Sequence, residues 1–358
     1  MKFAGSELQP NRPEPIISEL DVVPFNQRMD PHMAVEALLR GEYVLILDFY
    51  SSGLKLLSLL KAYVESKHRG LSFQGQRDFR SDFRELSNRI LLQVSNHKLR
   101  VKKAPEIAWF ALLYPELSDF LLPFPQIQGL NSAWQWYEKG IPIPGLDHKI
   151  HPFYGTYFPT RFEHLALFDQ YLARYPGKKQ SAIDVGIGCG VLSFIMLKHG
   201  FRKIYGTDIN PNAIIGLTEY LEKGNGAGRI ELRQGDLFAG VMGQLEIIVF
   251  NPPWLPAAHN VSGIDNAVYY DPDLFPRFFA AAEERLEKGG RLVLVFSNLA
   301  EITKTATIHP IRNELATGGR FVQDLFLQKA VGKASVKTKR DQHWRNTEKV
   351  ELWVLKHK

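Results

Sequence analysis

The 358 residues, 45% hydrophobic and 23% charged, describe an ordinary globular chain with room for about two domains and a sizeable core. A single cysteine, Cys189, excludes an internal disulfide framework and a cysteine-rich zinc module, and no metal ligand is assigned; no window approaches 18 uninterrupted apolar residues, which excludes a membrane-spanning helix. The formal charge of +6 divides into +1 over residues 1–150 (18 basic, 17 acidic), −1 over 151–319 (16 and 17) and +6 over 320–358 (10 and 4), so the excess is local and C-terminal.

Met1 to Asn11 lacks the apolar stretch of a secretory signal, which makes a cytoplasmic protein the expectation. Pro10, Pro13, Pro15 and Pro24 mark an irregular lead-in, after which the pattern from Pro31 to about Leu130 is mostly helical. Phe79, Phe83, Leu86 and Ile90 recur at helical spacing, with Arg77, Arg80 and Arg84 off that face and alternating with Asp78, Asp82 and Glu85. Mixed charges of that kind favour a solvated face over a nucleic-acid stripe. Tyr43–Phe49 reads as a short buried strand inside this helical region. Residues 122–160 are dense in proline and aromatics, including Pro123, Pro125, Trp134, Trp136, Tyr137, Pro142 and Pro144, and read as an irregular connector packed by its rings. The expected layout is therefore a mainly helical N-terminal domain over 1–121, a connector over 122–160 and a catalytic domain over 161–358.

Beyond Thr160 strands and helices alternate. Helices are expected at His164–Tyr175, Val191–His199, Ala213–Lys223 and Leu274–Leu286. Strands are expected at Ser181–Ile187, Lys203–Ile209, Ile230–Gln234, Ile247–Phe250, Arg291–Ser297, Phe321–Gln328 and Val350–Leu355. Such alternation implies an α/β fold, a mostly parallel Rossmann-like sheet covered by helices on both faces, and the last two strands suggest an antiparallel edge hairpin.

Asp184-Val-Gly186-Ile-Gly188-Cys-Gly190 follows a strand and opens a helix, so its glycines let the backbone turn tightly and approach a ligand. A dinucleotide fingerprint would place its third glycine at 191, which is Val. Cys189 within this loop reads as a small residue that fits, since no histidine partner for a nucleophile is evident. The spacing G-x-G-x-G after an acidic residue resembles motif I of the class I S-adenosylmethionine-dependent methyltransferases. Asp208 ends the second strand about twenty residues on, where a carboxylate can accept ribose hydroxyls, and Asp236-Leu237 end the third. The resemblance implies that Asp236 bonds the adenine amine while Leu237 packs on the ring.

The fourth strand ends in Asn251-Pro252-Pro253-Trp254. Prolines cannot donate to a sheet ladder; they fix the backbone and leave its carbonyls free to accept. The Asn251 side-chain oxygen and the Pro252 carbonyl can take the two hydrogens of an incoming NH2 group, and Trp254 can stack on its flat body. Two acceptors push electron density onto a nitrogen whose lone pair is delocalised, and transfer from a sulfonium is then chiefly a matter of positioning. With the cofactor motifs, this tetrapeptide resembles the amino-methyltransferase branch that includes HemK-type protein glutamine methyltransferases, small-domain rRNA guanine methyltransferases and adenine amino-methyltransferases. The resemblance covers roughly residues 150–358 and implies that Phe158, Pro159 and Thr160 fold over the methionine part of S-adenosylmethionine. Two departures are Trp254, where HemK-type enzymes usually carry Tyr, and Glu246, where they place Asp before the fourth strand.

The function expected is methyl transfer to a planar nitrogen of a macromolecule, either a protein glutamine amide or a nucleic-acid exocyclic amine. A small-molecule substrate, a non-catalytic S-adenosylmethionine-binding or RNA-binding module and a nicotinamide oxidoreductase are the competing readings; the glycine spacing and Asn251–Trp254 disfavour the last. The loop Leu255–Asp271, with His259, Asn260, Asp265 and Tyr269-Tyr270, is expected to form a substrate lid. The basic segment 333–345, carrying Lys333, Lys337, Lys339, Arg340 and Arg345, is a candidate contact for a polyanion, with a plain solvated loop as the alternative.

Overall fold

A computed structural model describes residues 8–68, 73–224, 226–257, 267–332 and 347–358, with backbone alone over 73–78. The expected lid residues His259, Asn260 and Asp265 and the basic residues of 333–345 lie outside the described residues. The chain forms two compact units: one holds Arg12–Glu138, the other Lys139–Lys358 with the short piece of chain ending at Asn11. Among the described residues, no helix is long and apolar enough to cross a membrane.

In the first unit helical residues outnumber strand residues, yet the helices pack around a five-stranded sheet. Val22–Phe25, Tyr43–Ile46 and Ile90–Ser95 run parallel, and Ile90–Ser95 pairs antiparallel with both Lys98–Leu99 and Asp119–Pro123. Tyr43–Ile46 is the strand foreseen at Tyr43–Phe49. Ile90 is a correction: the helix Phe73–Ser87 ends before it, and Ile90 opens a strand in which Ile90, Leu91, Leu92 and Val94 are buried. An apolar run that belongs to a central strand continued the helical spacing by coincidence. The irregular connector is a second correction, because Phe124–Lys139 is a 16-residue helix. Pro125 sits in its first turn, where the missing N–H has no intrahelical partner to lose. Phe124, Ile127 and Leu130 are buried at helical spacing, and Trp134 and Tyr137 pack on the Trp109 ring at 5.4 and 4.8 Å between centroids.

The second unit carries α1 (Glu163–Ala173), β1 (Ser181–Val185), α2 (Val191–Lys198), β2 (Lys203–Asp208), α3 (Pro211–Glu222), β3 (Ile230–Gln234), β4 (Leu245–Phe250), α4 (Leu274–Arg285), β5 (Leu286–Ser297), β6 (Phe321–Ala330) and β7 (Lys349–His357). The seven strands lie in the order β3-β2-β1-β4-β5-β7-β6. β7 runs antiparallel to both neighbours, which makes the expected edge hairpin, with its second strand inserted beside β5. All six residues of β4 are buried, as a central strand covered on both faces requires. Successive side chains alternate between faces: Ile247 and Val249 join the core under α1, α2 and α3, whereas Ile248 and Phe250 join Phe275, Phe278 and Phe279 of α4. Glu246 is buried within β4 and accepts the backbone N–H groups of Lys179 and Gln180 at 2.8 and 2.7 Å, so it clasps the entry to β1 at the end of the sheet remote from the glycine loop.

Strand order reverses at β1, whose neighbours β2 and β4 lead to opposite sides. Ligands of open parallel sheets bind outside the carboxyl ends of the strands at such a point.

Candidate functional site at the carboxyl ends of the strands

The loops leaving β1, β2, β3 and β4 open into one cleft of about 990 Å³. Register brings the two key motifs side by side: Phe250 pairs with Val185, so Asn251 emerges next to Gly186. The glycines divide by role. Gly186, Gly188 and Gly190 all have positive φ (66°, 53° and 80°). A Cβ on Gly190 would meet Leu217 and Phe194 at 2.8 and 2.9 Å, so this glycine serves packing and does not line the cleft. A Cβ on Gly186 or Gly188 would find no protein atom closer than 3.5 or 3.6 Å, so packing does not demand glycine there. Their left-handed backbone conformation does.

Asp184 is buried and its Oδ2 accepts from the Ser193 N–H at 3.0 Å and the Ser193 hydroxyl at 2.7 Å, fastening the first turn of α2. Burial pushes its carboxyl up to about 7. The Asp208 carboxylate grips the loop from the other side, with Oδ2 accepting from Gly188 N–H and Oδ1 from Asn210 N–H, both at 2.8 Å. Each oxygen keeps a second acceptor site for a diol, and burial raises this carboxyl as well. Asp236 also borders the cleft but is engaged by Arg277 of α4, which reaches Asp271 at 3.6 Å too. Leu237 follows with φ 49°, rare for a branched side chain, and its carbonyl accepts the Thr207 hydroxyl.

Pro159 and Thr160 line the cleft, whereas Phe158 packs against the core. That segment is tethered by Asn210 and Asn212, whose side-chain amides donate to Gly155 and Tyr154 carbonyls at 2.9 and 2.7 Å. Asn212 is fully buried and exchanges two further hydrogen bonds with the Asn11 backbone, both 2.7 Å. Sequence reasoning missed these asparagines, although Asn210-Pro211 is a helix-start signal in plain view.

Asn251, Pro252, Pro253 and Trp254 all line the same cleft. The Trp254 indole N–H donates to Asn251 Oδ1 at 3.1 Å, and the His164 ring meets the indole edge-on at 5.8 Å and 88°. His164 is buried, its pKa is pushed down to about 4 by that burial, and its Nδ1 has no hydrogen-bond partner among the described residues. The Thr156 hydroxyl, also buried at the cleft wall, is likewise without one. Neither residue stood out in the sequence. Cys189 lines the cleft with its thiol pushed up to about 12 by burial, which suits a space-filling residue. On the far wall, Arg161 pairs with buried Glu348 at 2.6 Å and the Glu163 carboxylate accepts from Gly332 N–H at 2.9 Å. Both flanks of segment 333–346 are thereby tied to the start of α1.

The methyltransferase small domain family profile matches residues 166–317. A protein of Methanocaldococcus jannaschii, named as a candidate protein N5-glutamine methyltransferase, is 31% identical over 166 residues, 44% of this chain and 80% of that one. Ribosomal RNA small subunit methyltransferase C of Alcanivorax borkumensis is 33% identical over 119 residues, so this chain spans only 33% of that relative. Among solved structures, the ribosomal protein L11 methylase of Lactobacillus delbrueckii subsp. bulgaricus covers 62% of this chain and 92% of its own, at 20% identity and a TM-score of 0.40.

Proposed function

Because the chain belongs to the methyltransferase small domain family, we propose that it moves a methyl group from S-adenosylmethionine to a planar nitrogen of a macromolecule, held by Asn251 and Pro252. One observation carries this reading: four consecutive strand ends bring a glycine loop, two carboxylates and an Asn-Pro-Pro-Trp turn to one cleft. The residues present fit the cofactor. Two buried polar atoms of the wall, Thr156 Oγ1 and His164 Nδ1, have no partner among the described residues, and Gly186 and Gly188 present side-chain-free backbone on the cleft lining. Asp208 supplies acceptors for a ribose diol, Asp236 one for an exocyclic amine, and Leu237 an apolar face for a purine.

The cofactor brings the methyl on a sulfonium, an electrophile suited to in-line displacement. Asn251 Oδ1 and the Pro252 carbonyl accept from the two hydrogens of the target nitrogen, aim its lone pair and favour pyramidal geometry. The surplus proton stays hydrogen-bonded to these acceptors until water removes it. His164, neutral above about pH 4, braces Trp254 without adding charge beside a cationic ligand.

The test pairs calorimetry with labelling. S-adenosylhomocysteine should bind wild type and Asn251→Ala alike, while label from methyl-tritiated cofactor enters cell lysate only with wild type. A variant that labels at the wild-type rate, or a wild type that binds NAD and not S-adenosylhomocysteine, overturns the proposal.

A further inference from the structure

The first unit carries a surface that methyl transfer, as described, does not use. Lys98, Arg100, Lys102 and Lys103 place four cations in six residues with no carboxylate between them. Ile90–Ser95 turns through Asn96 and His97, both left-handed at φ 48° and 58°, into the short edge strand Lys98–Leu99. From there side chains alternate: Val101 is buried and Leu99 half-buried, while Lys98, Arg100 and Lys102 are exposed. Lys103 then takes a left-handed φ of 54°, and its ammonium comes to the same ring as that of Lys102. The two nitrogens lie 6.0 and 5.8 Å from the centroid of half-buried Phe49. Leu47, two residues before that ring, is half exposed as well.

Nearby carboxylates do not neutralise this group. Asp48 accepts from the Gln27 N–H at 2.8 Å, and Asp119 accepts from the Ser118 hydroxyl at 2.8 Å with Arg100 only at longer range. Among the described residues none of the four cations has a carboxylate within 4.0 Å. Lysines on an edge strand deter pairing with other chains, which accounts for Lys98 and Arg100. It does not account for a second ammonium, that of Lys103 on a left-handed backbone, lying within about 6 Å of the ring that Lys102 already borders as its bridge partner. An aromatic ring bordered by cations that have no carboxylate partner is what a stacked base with its phosphate backbone requires.

We infer that this edge binds single-stranded nucleic acid, with a base on Phe49, adjoining phosphates on Lys102 and Lys103, and the strand continuing along Arg100 and Lys98. This deepens the proposed function by making the macromolecular substrate a nucleic acid, and rests on that reading only for the word substrate.

The test uses the full chain and fluorescein-labelled 20-nucleotide RNA and DNA of one sequence, read by anisotropy from about 50 to 300 mM salt. Removing two phosphate contacts lowers the salt slope by about 1.4 and affinity by roughly 60-fold near 50 mM. Lys102→Gln with Lys103→Gln should show that loss, Phe49→Leu a loss of roughly fivefold or more with the slope retained, and the exposed control Lys55→Gln neither. Preference between the RNA and DNA arms identifies the polymer. Circular dichroism melts confirm folding, and Lys102→Arg with Lys103→Arg, which keeps the charges, should restore binding. Wild-type binding without salt dependence, equal binding by the double glutamine variant, or displacement by polyglutamate as effective as by unlabelled RNA overturns the inference, the last by making the partner an acidic protein. S-adenosylhomocysteine calorimetry on the same samples reports separately on the methyltransferase reading.

Discussion

Replacing Trp254 by Phe separates two things the indole does: it offers a flat face, and it donates to Asn251 Oδ1 at 3.1 Å. An indole N–H can only donate, so its partner must be the amide oxygen; with the amide flipped, two donors would oppose each other. Trp254 therefore fixes which end of Asn251 points at the target nitrogen. Phe keeps a ring for stacking but removes this constraint. The hydrogen bond is worth about 0.5–1.5 kcal/mol net, and freeing the Asn251 side chain adds an ordering cost of about 0.5–1 kcal/mol. Together they predict roughly a 5- to 70-fold slower methyl transfer. His164 contacts the indole without titrating above about pH 4, so the defect should be the same from about pH 6 to 8. The assay is single-turnover transfer of labelled methyl into a fixed lysate fraction, beside S-adenosylhomocysteine calorimetry. In a nitrogen-15 spectrum, the indole signal that Trp254→Phe deletes should shift and lose exchange protection in Asn251→Ala. Wild-type transfer by Trp254→Phe, or a loss of cofactor affinity as large as the loss of rate, would refute the positioning argument.

The glycine loop gives a paired prediction: Gly188→Ala should fold normally, with about 1–2 kcal/mol of left-handed strain, and bind S-adenosylhomocysteine weakly, whereas Gly190→Ala should fail mainly in thermal stability because its Cβ meets Leu217 and Phe194. Asp184 titrates near 7 when folded against 3.8 when unfolded, so the folded state holds the extra proton and stability falls as pH rises through that window. Melting of the free chain should therefore drop from about pH 5 to 7.5 by an amount on the order of a few kcal/mol. Asp184→Asn, which keeps the one oxygen that accepts from Ser193, should melt higher at pH 7.5 and lose that slope; an unchanged slope would count against the assignment. Arg277→Ala should weaken S-adenosylhomocysteine binding about two- to fivefold by releasing Asp236, a modest effect because the pair is half exposed; affinity equal to wild type would show that Arg277 does not orient Asp236. Glutamate at Lys337, Lys339 and Arg340 should weaken nucleic-acid binding in a salt-dependent manner, and unchanged anisotropy would leave that segment as solubilising surface.

What could be read in advance tracks the range of the interactions involved. Ile230–Gln234 has the same bounds in sequence and structure because a short alternation of apolar and polar residues, Ile-Glu-Leu-Arg, between turn residues is a local signal. The glycine loop and the Asn-Pro-Pro-Trp turn were equally local. The sheet of the first unit was largely hidden, because Ile90 continued a helical spacing by chance and Pro125 masked a helix that it in fact begins. Within the cleft, the unforeseen partners are remote in sequence: Arg277 lies 41 residues from Asp236, and Asn212 201 from Asn11. Trp254 and Asn251 are three apart, but their bond depends on the turn imposed by the intervening prolines.

The placement of β7 between β5 and β6 bears on how the protein is made. A ribosome releases β5 and β6 first, yet neither can pair with the other, because their ladders both run to residues 349–357. Until those nine residues emerge, the β5 edge with Leu292, Val293, Leu294 and Val295 stands open, an apolar row able to recruit strands from other chains. Closure of the sheet therefore waits on the synthesis of β7, and until then the exposed β5 edge is the place where shielding during translation would act.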